Sequence, residues 1–283
     1  MITSIIFSKD RPLQLDLCIS SIKKNFNDTN EIIVIEKYSD EFRDSVEILK
    51  KEHPNVTFYR QSKSIYKDIK DWCLLSNNDY ISFFTDDNIF YMGIKADNAY
   101  ENIFQYPDYD ACCFSFRLGL NIDQRNFAGS IIEDKPHIHI DCGDAILVPK
   151  TQYGYGSYWS YSHSLDGHVF KKSYVMEMMS ELYYLDKHFS FCQTPNCLEE
   201  KMQRFWTISP NVIVCPKQSV VVNSPNNRVS ETHQENKSGE EYNYTPEQTL
   251  DVYRQGKRID IDLLDFSSIR CPHQEIDIMK GLK

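Results

Sequence analysis

Residues 80–88 read YISFFTDDN, an apolar run that passes directly into an acidic turn. The aromatic and β-branched residues at 80–84 are typical of a buried strand that ends at this turn. Asp86, Asp87 and Asn88 follow just beyond the end of the predicted strand. Because Asp and Asn favour turns in any protein, the triplet alone indicates a polar turn more than a functional site. Its meaning depends on the elements that precede it.

Three strand–helix units precede the acidic turn. Each begins with a short apolar run and continues with apolar residues at helical spacing, and Pro12 stands where a helix start tolerates a missing N–H. The predicted strands are residues 2–7, 31–36 and 56–59, and the predicted helices are residues 12–26, 40–51 and 64–75. This alternation implies right-handed crossovers and a mostly parallel sheet flanked by helices, so the predicted fold class is α/β. Ligands of such sheets bind beyond the carboxyl ends of the strands, where the acidic turn lies.

The pattern is less regular beyond residue 92. Residues 119–144 are polar and irregular, whereas residues 167–184 are spaced like a helix. The other predicted elements are strands at 111–116, 212–214 and 220–222 and helices through 100–104 and over 246–254. We predict three regions, residues 1–110, residues 111–222 and a C-terminal extension over residues 223–283.

The composition indicates a globular protein with an acidic surface. Of the 283 residues, 41% are hydrophobic, and 31 basic against 41 acidic residues give a net charge of -10. This charge repels phosphates, which argues against nucleic acid as a partner. No apolar run approaches the ~20 residues that span a bilayer, and the first residues lack the basic region of a signal peptide. Nine cysteines without paired spacing indicate reduced thiols and a cytoplasmic protein.

Asp86, Asp87 and Asn88 carry ligand atoms that hard divalent cations prefer. Two carboxylates and an amide oxygen at a strand end suit Mg²⁺ or Mn²⁺. Such an ion would neutralise a diphosphate leaving group as negative charge builds on it, and Asp86 would lie against the same substrate. The position of the triplet after three strand–helix units favours metal binding over an ordinary turn.

Five segments resemble motifs of one enzyme family. Three of them are similar to the "N-R-P" turn, the "V-V-D-D-G-S-x-D" segment and the "DxD" strand of family 2-like glycosyltransferases with the GT-A fold. Two more stand where that family has its acceptor-side glycine region and its "E-D" motif. The segments are residues 5–12, 34–40, 80–88, 164–168 and 195–200. The resemblance implies a Rossmann-like GT-A fold and inverting transfer of a sugar from a UDP- or GDP-linked donor to a carbohydrate or other hydroxyl acceptor. It also implies that residues 1–110 are the nucleotide-sugar-binding half and residues 111–222 the acceptor-binding and catalytic half.

The resemblance also implies a nucleotide pocket in the first half of the chain. Ser8, Asp10 and Arg11 would line it, and Glu36 would contact the base or ribose. A carboxylate at the end of a second strand can accept hydrogen bonds from ring N–H groups or ribose hydroxyls, which fits that assignment. Lys67, on the helix before the fourth strand, either reaches a phosphate or is a solvated helix lysine.

Inverting transfer requires a base that takes the proton of the acceptor hydroxyl. Glu199 and Glu200 stand at the "E-D" position, with Glu200 aligned to the usual base. An acid at this helix start also complements the helix dipole, which is the competing interpretation. Neighbouring acids would raise one pKa and help a base to act near neutral pH. Asp166 is the rival base.

Residues 153–161, YGYGSYWSY, place aromatic side chains on a glycine-containing loop. Tyr155 and Trp159 are candidates for stacking on a sugar ring, with the glycines allowing the loop to close. The alternative is a loop that packs its own aromatic residues. His168 is a candidate substrate contact, and His168 and His273 are candidates for completing a metal shell, as a late histidine does in some relatives of this fold. The alternative, which is the commoner case, is that each is an ordinary polar residue.

Two other functions share this sheet and its acidic edge. A nucleotidyltransferase that makes the sugar nucleotide would use similar metal chemistry, but no glycine-rich basic loop follows the first strand. A non-catalytic sugar-binding protein on the same fold is the third hypothesis, and it is favoured by Asn88 standing where the family has an acid. Release of nucleoside diphosphate from a sugar donor distinguishes the transferase from the binding protein.

Overall fold

The computed structural model describes residues 1–26, 29–94, 111–127, 130–154, 156–189, 192–206, 208–229 and 238–283. Its helices are α1 (Pro12–Asn25), α2 (Arg43–Glu52), α3 (Ile65–Leu75), α4 (Lys172–Phe189), α5 (Pro195–Met202) and α6 (Pro246–Arg254). Its strands in the first half are β1 (Ile2–Lys9), β2 (Thr29–Lys37), β3 (Thr57–Arg60), β4 (Tyr80–Thr85) and β5 (Asn88–Phe90). The later strands are β6 (Ala111–Ser115), β7 (Gln124–Phe127), β8 (Ser130–Glu133), β9 (Ile140–Cys142), β10 (Ala145–Pro149), β11 (His168–Lys171), β12 (Val212–Pro216) and β13 (Val221–Asn223).

Nine of these strands form one central sheet in the order β3-β2-β1-β4-β11-β6-β12-β10-β9. Strands β3, β2, β1 and β4 are parallel, whereas β11 runs antiparallel to both β4 and β6. Strand β12 is parallel to β6, and β10 is antiparallel to β12 and β9. The predicted α/β fold with a mostly parallel central sheet flanked by helices is confirmed.

The first four strands and three helices follow the predicted order and lie within a few residues of the predicted bounds. Strand β1 is buried over Ile2–Phe7 because apolar side chains cover both faces of a central parallel strand. Helix α1 begins at Pro12, as predicted, and packs its apolar face into the core. The ring of Phe26, just after α1, stacks on Phe90 of β5 at 5.2 Å.

The chain order of the strands reverses around β1. Strands β2 and β3 lie on one side of β1, and β4 lies on the other. A crevice forms at such a switch point because the connections from the two central strands lead to opposite sides, and ligands of open α/β sheets bind there. The acidic turn after β4 stands at this switch point, next to the carboxyl end of β1.

The prediction of a helix over 167–184 was wrong at its start. Residues His168–Lys171 form strand β11, and helix α4 begins at Lys172. Gly167 has a φ of 69°, which a glycine adopts without the strain of a side chain, and it turns the chain into β11. Since β11 is antiparallel to β4, its start lies beside the end of β4, and the N–H of Gly167 donates to the carbonyl of Phe83 at 2.8 Å.

The middle of the chain contains more strands than the sequence indicated. Residues 119–144 were predicted to be irregular, yet they contain the β7–β8 hairpin and edge strand β9. The predicted helix through 100–104 lies outside the described residues. Strands β6, β12 and β13 and helix α6 occur near their predicted positions.

The C-terminal region packs against the first half of the chain. Strand β13 pairs antiparallel with β5, which follows the acidic turn. The hydroxyl of Tyr253 on α6 donates to Glu52 of α2 at 2.7 Å. The region predicted as an extension thus contacts the elements around the acidic turn, while the boundaries at 110 and 222 stay predictions.

The nine cysteines are free thiols in the structure, and seven of them are buried. Among the described residues, no helix is both long enough and apolar enough to cross a lipid bilayer.

Candidate active site

The acidic turn is joined to the end of β1 by direct hydrogen bonds. Parallel pairing places Phe7 opposite Thr85, so Ser8 and Lys9 lie beside the turn. The N–H of Asp86 donates to the carbonyl of Phe7 at 3.0 Å. In return, the Oδ2 atom of Asp86 accepts from the hydroxyl of Ser8 at 2.9 Å and from the N–H of Lys9 at 3.1 Å. Ser8 and Asp86, both predicted to line the pocket, are therefore in contact.

Arg11 bridges the two carboxylates of the turn. Its Nη1 atom lies 2.9 Å from Oδ1 of Asp86 and 2.9 Å from Oδ2 of Asp87. On the other side of the guanidinium, Nε donates to Oδ1 of Asn227 at 2.7 Å, and Nη2 donates to the carbonyl oxygen of the same residue. The side chain of Arg11 is only 9% exposed, so this charge is buried among its partners.

A third carboxylate, that of Asp166, belongs to the same cluster and lies in the loop just before β11. The Oδ1 atoms of Asp87 and Asp166 each lie 2.7 Å from the hydroxyl oxygen of Thr85. The side-chain amide of Asn223 lies 2.8 Å from Oδ1 of Asp87 and 3.3 Å from Oδ1 of Asp166. A hydroxyl has one proton to donate, so the two carboxylates share their donors. The antiparallel turn at Gly167 produces this arrangement.

The Oδ2 atom of Asp166 contacts an arginine and a histidine. Nη1 of Arg117 lies 3.3 Å from Oδ2 of Asp166, and Nε2 of His273 lies 3.1 Å from the same atom. Nη1 of Arg117 also lies 2.9 Å from Nε2 of His273. Because Nη1 always donates, Nε2 either accepts from Arg117 or, when protonated, donates to Asp166.

The surroundings push the pKa values of two of the carboxylates in opposite directions. Burial raises the pKa of Asp86 to about 6, with Arg11 opposing the rise and Asp87 adding to it. Burial acts in the same direction on Asp166, but the hydrogen bond and charge of His273 and the charge of Arg117 hold its pKa below the usual range. Asp166 is therefore ionised at neutral pH, and carboxylates with separated pKa values are typical of catalytic sites.

Glu36 stands at the carboxyl end of β2, as predicted. Its Oε1 atom accepts from Nζ of Lys50 at 2.8 Å, while Oε2 is buried without a hydrogen-bond partner among the described residues. Nearby, Asp10 has a φ of 53°, uncommon for a residue with a side chain, and its carboxylate accepts from the N–H of Ser39 at 2.7 Å. Asp10 thus ties the end of β1 to the end of β2.

The two glutamates on α5 occupy different environments. Oε1 of Glu199 accepts from the hydroxyl of Ser164 at 2.7 Å and from the N–H of Leu165 at 3.0 Å, which fixes the loop that carries Asp166. Burial, and next the charge of Asp166, raise the pKa of Glu199. Glu200, aligned with the usual base, is exposed to solvent. Asp166 therefore lies in the cluster, whereas Glu199 contacts the two residues that precede Asp166.

Three other predicted site residues lie away from the cluster or inside the core. Lys67 is 58% exposed and pairs with Asp71 one turn along α3. Trp159 is fully buried and donates its ring N–H to the carbonyl of Asp134 at 2.7 Å, so its ring is not available to a sugar. His168 is also fully buried, and burial with the charge of Arg117 lowers its pKa to about 3. Tyr155 lies outside the described residues.

The triplet Asp86, Asp87 and Asn88 does not form a ready site for Mg²⁺ or Mn²⁺. The amide oxygen of Asn88 accepts from the N–H of Thr85 at 2.8 Å inside the turn. Arg11 already pairs with the other two members. Over the part of the chain that the structure describes, no group of three or more His, Cys, Asp or Glu side chains is arranged to hold a metal ion.

The prediction from sequence missed Arg117 and Asn223, and it placed Thr85 in the acidic turn without giving its side chain a role. Arg117 comes two residues after β6, and the rule that ligand-contacting residues follow parallel strands would have marked it. Thr85, the last residue of β4, was open to the same argument. No local signal marks Asn223, which reaches the cluster only through the pairing of β13 with β5.

No protein-family model matches this chain, and no curated protein matches it. Among solved structures, S. aureus TarS 1–349 in complex with UDP is similar at 11% identity and a TM-score of 0.46, covering 80% of this chain and 61% of that one. The mannosyltransferase PcManGT from Pyrobaculum calidifontis, in complex with GDP-Man and Mn²⁺, is similar at 11% identity and a TM-score of 0.43, covering 82% and 57%.

A third similar structure is the bifunctional IspDF from Campylobacter jejuni, at 11% identity and a TM-score of 0.40, covering 77% of this chain and 49% of that one. The chain therefore spans about three fifths of the TarS and PcManGT structures. Because the sequence identities are 11% and the TM-scores are below 0.5, these similarities support no conclusion about activity.

Proposed function

We propose that this protein binds a nucleoside-diphosphate sugar at the carboxyl edge of β1, β2 and β4 and transfers the sugar to a hydroxyl acceptor. The observation that carries the proposal is the convergence of three carboxylates, two of them buried and the third partly buried, and two buried arginines at the switch point of the sheet. Burying charged groups is costly and is found where chemistry needs them. The members of this cluster are Asp86, Asp87, Asp166, Arg11 and Arg117.

The nucleoside would lie on the β2 side of the switch point. The Oε2 atom of Glu36 is buried without a partner among the described residues, and it would accept a hydrogen bond from a base N–H or a ribose hydroxyl once the groups that cover it move aside. Ser8, Asp10 and Arg11 would line the path from the nucleoside to the diphosphate. The hydrogen bonds that Asp10 accepts from Ser39 would hold this part of the pocket in place.

Asp166 would act as the base. Inverting transfer removes the proton from the acceptor hydroxyl as its oxygen attacks the anomeric carbon and the bond to the nucleoside diphosphate breaks. Asp166 lies in the cluster, with its Oδ1 atom 2.7 Å from the hydroxyl oxygen of Thr85, whereas Glu200 is exposed on α5. Glu199 would position Asp166 through Ser164, whose hydroxyl accepts from the N–H of Asp166 at 3.1 Å.

The reaction would take place in a reducing compartment, in keeping with nine free cysteines. The acceptor would be a carbohydrate or another hydroxyl compound. The same pocket on a non-catalytic protein would bind the donor without turning it over, so binding and turnover need separate measurements.

A panel of UDP- and GDP-sugars, each measured in EDTA and in Mn²⁺, tests the proposal. We expect at least one sugar nucleotide to raise the melting temperature and to release nucleoside diphosphate slowly by hydrolysis. Asp166→Asn should retain the thermal shift and lose the release, because the substitution removes the base but leaves the nucleoside pocket. If no sugar nucleotide shifts the melting temperature in either condition, the proposed function is rejected. A shift without release in the wild type would identify a binding protein.

A further inference from the structure

We infer that Arg11 holds the cation position of the acidic turn, so that the site binds a nucleoside diphosphate without a divalent metal ion. The identity of that ligand rests on the proposed function. The position of Arg11 between the carboxylates rests on geometry alone.

The guanidinium of Arg11 is fixed on two sides. One nitrogen, Nη1, pairs with both Asp86 and Asp87 at 2.9 Å, while Nε and Nη2 donate to the side chain and backbone of Asn227. Asn227 itself is buried and follows β13, which pairs with β5 just beyond the turn. A side chain with four such partners has little freedom to leave the space between the carboxylates.

A divalent ion bound by the turn would need the carboxylate oxygens at about 2.1 Å, closer than a hydrogen-bonded nitrogen. Each of the four oxygens of Asp86 and Asp87 already accepts a hydrogen bond from the protein. The third expected ligand, Asn88, uses its amide oxygen inside the turn. Binding an ion in the space that Arg11 fills would displace a buried positive charge and leave the oxygens of Asn227 without their donor, which is costly.

Without a metal ion, the diphosphate would have to be stabilised by protein side chains. A guanidinium is planar, remains charged at every physiological pH and matches phosphate geometry with paired N–H groups. Arg11 would therefore offset the negative charge of Asp86 and Asp87, while Arg117 would supply positive charge to the leaving group, and both are held in place before the substrate binds. Donor affinity should then be the same in EDTA and in Mn²⁺.

Binding of Mn²⁺ alone, followed by the electron paramagnetic resonance signal of the free ion, tests the inference without any nucleotide. We expect the wild type to leave the signal unchanged. Arg11→Met should bind Mn²⁺ about tenfold more tightly or better, because it leaves two buried carboxylates without a cation. The double variant Arg11→Met/Asp87→Asn should lose this gain. Arg43→Met, which removes an exposed arginine paired with Asp40, is the matched control.

Two results would overturn the inference. One is Mn²⁺ binding by the wild type that Asp87→Asn abolishes. The other is an Arg11→Met protein that is folded by circular dichroism and still binds no Mn²⁺. If Arg11→Met does not fold, Arg11→Gln, which keeps amide donors for Asn227, replaces it, and the wild-type measurement decides by itself. A failed sugar-nucleotide panel would reject the proposed function and leave the Mn²⁺ results standing, so the two failures are distinguishable.

Discussion

The side-chain amide of Asn223 lies 2.8 Å from the Oδ1 atom of Asp87, although the two residues are 136 positions apart in the sequence. The pairing of β13 with β5 creates this contact by bringing the C-terminal region over the acidic turn. Asn223 also reaches Thr85 and Asp166, so one neutral amide serves two carboxylates. The candidate site is therefore built from both ends of the chain.

Replacing this amide by a carboxylate should strongly destabilise the fold. Asn223→Asp keeps the shape of the side chain but adds a buried negative charge against Asp87 and Asp166, whose oxygens lose a donor. We expect a loss of about 3 kcal/mol or more in the free energy of unfolding, measured by urea titration. Asn55→Asp makes the same chemical change at an exposed position and should be nearly neutral. Equal free energies of unfolding for the two variants would show that the amide of Asn223 does not stabilise the carboxylates of Asp87 and Asp166.

Glu36→Gln should weaken nucleoside binding without unfolding the protein. The variant replaces a carboxylate whose Oε2 atom is free to accept hydrogen bonds by an amide that donates on one side. We expect about a tenfold loss of affinity for the best sugar nucleotide, measured by calorimetry. Glu47→Gln is the matched control, because Glu47 is the other carboxylate paired with Lys50, at 2.9 Å, and is about half exposed. Similar affinities in the two variants would remove Glu36 from the pocket.

Asp166→Asn and Glu200→Gln should separate the two candidate bases. We expect Asp166→Asn to reduce transfer by about a hundredfold or more with donor affinity retained, since a positioned base typically contributes that much. Glu200→Gln should transfer at close to the wild-type rate, because its side chain is exposed on α5. The measurement is single-turnover transfer at saturating donor. The reverse ranking of the two variants would return the role of base to Glu200.

His168 should make the protein less stable in acid. Burial, with the charge of Arg117, lowers the pKa of His168 from its ordinary value of 6.5 to about 3. Between these values the unfolded chain binds a proton that the folded protein does not, so the free energy of unfolding falls as the pH falls, by up to about 1.4 kcal/mol per pH unit. Urea titrations between about pH 7.5 and pH 4.5 measure this dependence.

In His168→Gln the titrating group is absent, so its pH profile should be flatter and its deficit relative to the wild type should shrink in acid. His137→Gln changes an exposed histidine and should keep the wild-type slope. Parallel profiles for the wild type and His168→Gln would show that His168 is not held neutral in the core.

Local sequence patterns predicted the first half of the fold well. Apolar runs and helical stripes are properties of neighbouring residues, and the strands and helices up to Thr85 alternate clearly. The same patterns could not show that residues 168–171 form an antiparallel strand, because His-Val-Phe-Lys is too short to carry a period of its own. That strand brings Asp166 beside Thr85, so the Asp166 side of the candidate site was less predictable than the side formed by β1, β2 and β4.

Individual side chains were hard to assign for two physical reasons. Adjacent helix residues point about 100° apart, so the sequence could not show that Glu199 faces inward and Glu200 outward. Aromatic residues on a glycine-containing loop suit either a sugar contact or a core, and Trp159 lies in the core. Arg11 was expected in the pocket, but its pairing with Asp86 and Asp87 depends on how β1 and β4 lie side by side.

The central claim is that the carboxyl edge of β1, β2 and β4 is a sugar-nucleotide site. Isothermal titration of the most stabilising sugar nucleotide into the wild type and Glu36→Gln, each in EDTA, tests it most directly. We predict one ligand per chain for the wild type and about tenfold weaker binding for Glu36→Gln. No binding to the wild type, or binding that Glu36→Gln leaves unchanged, would contradict the account.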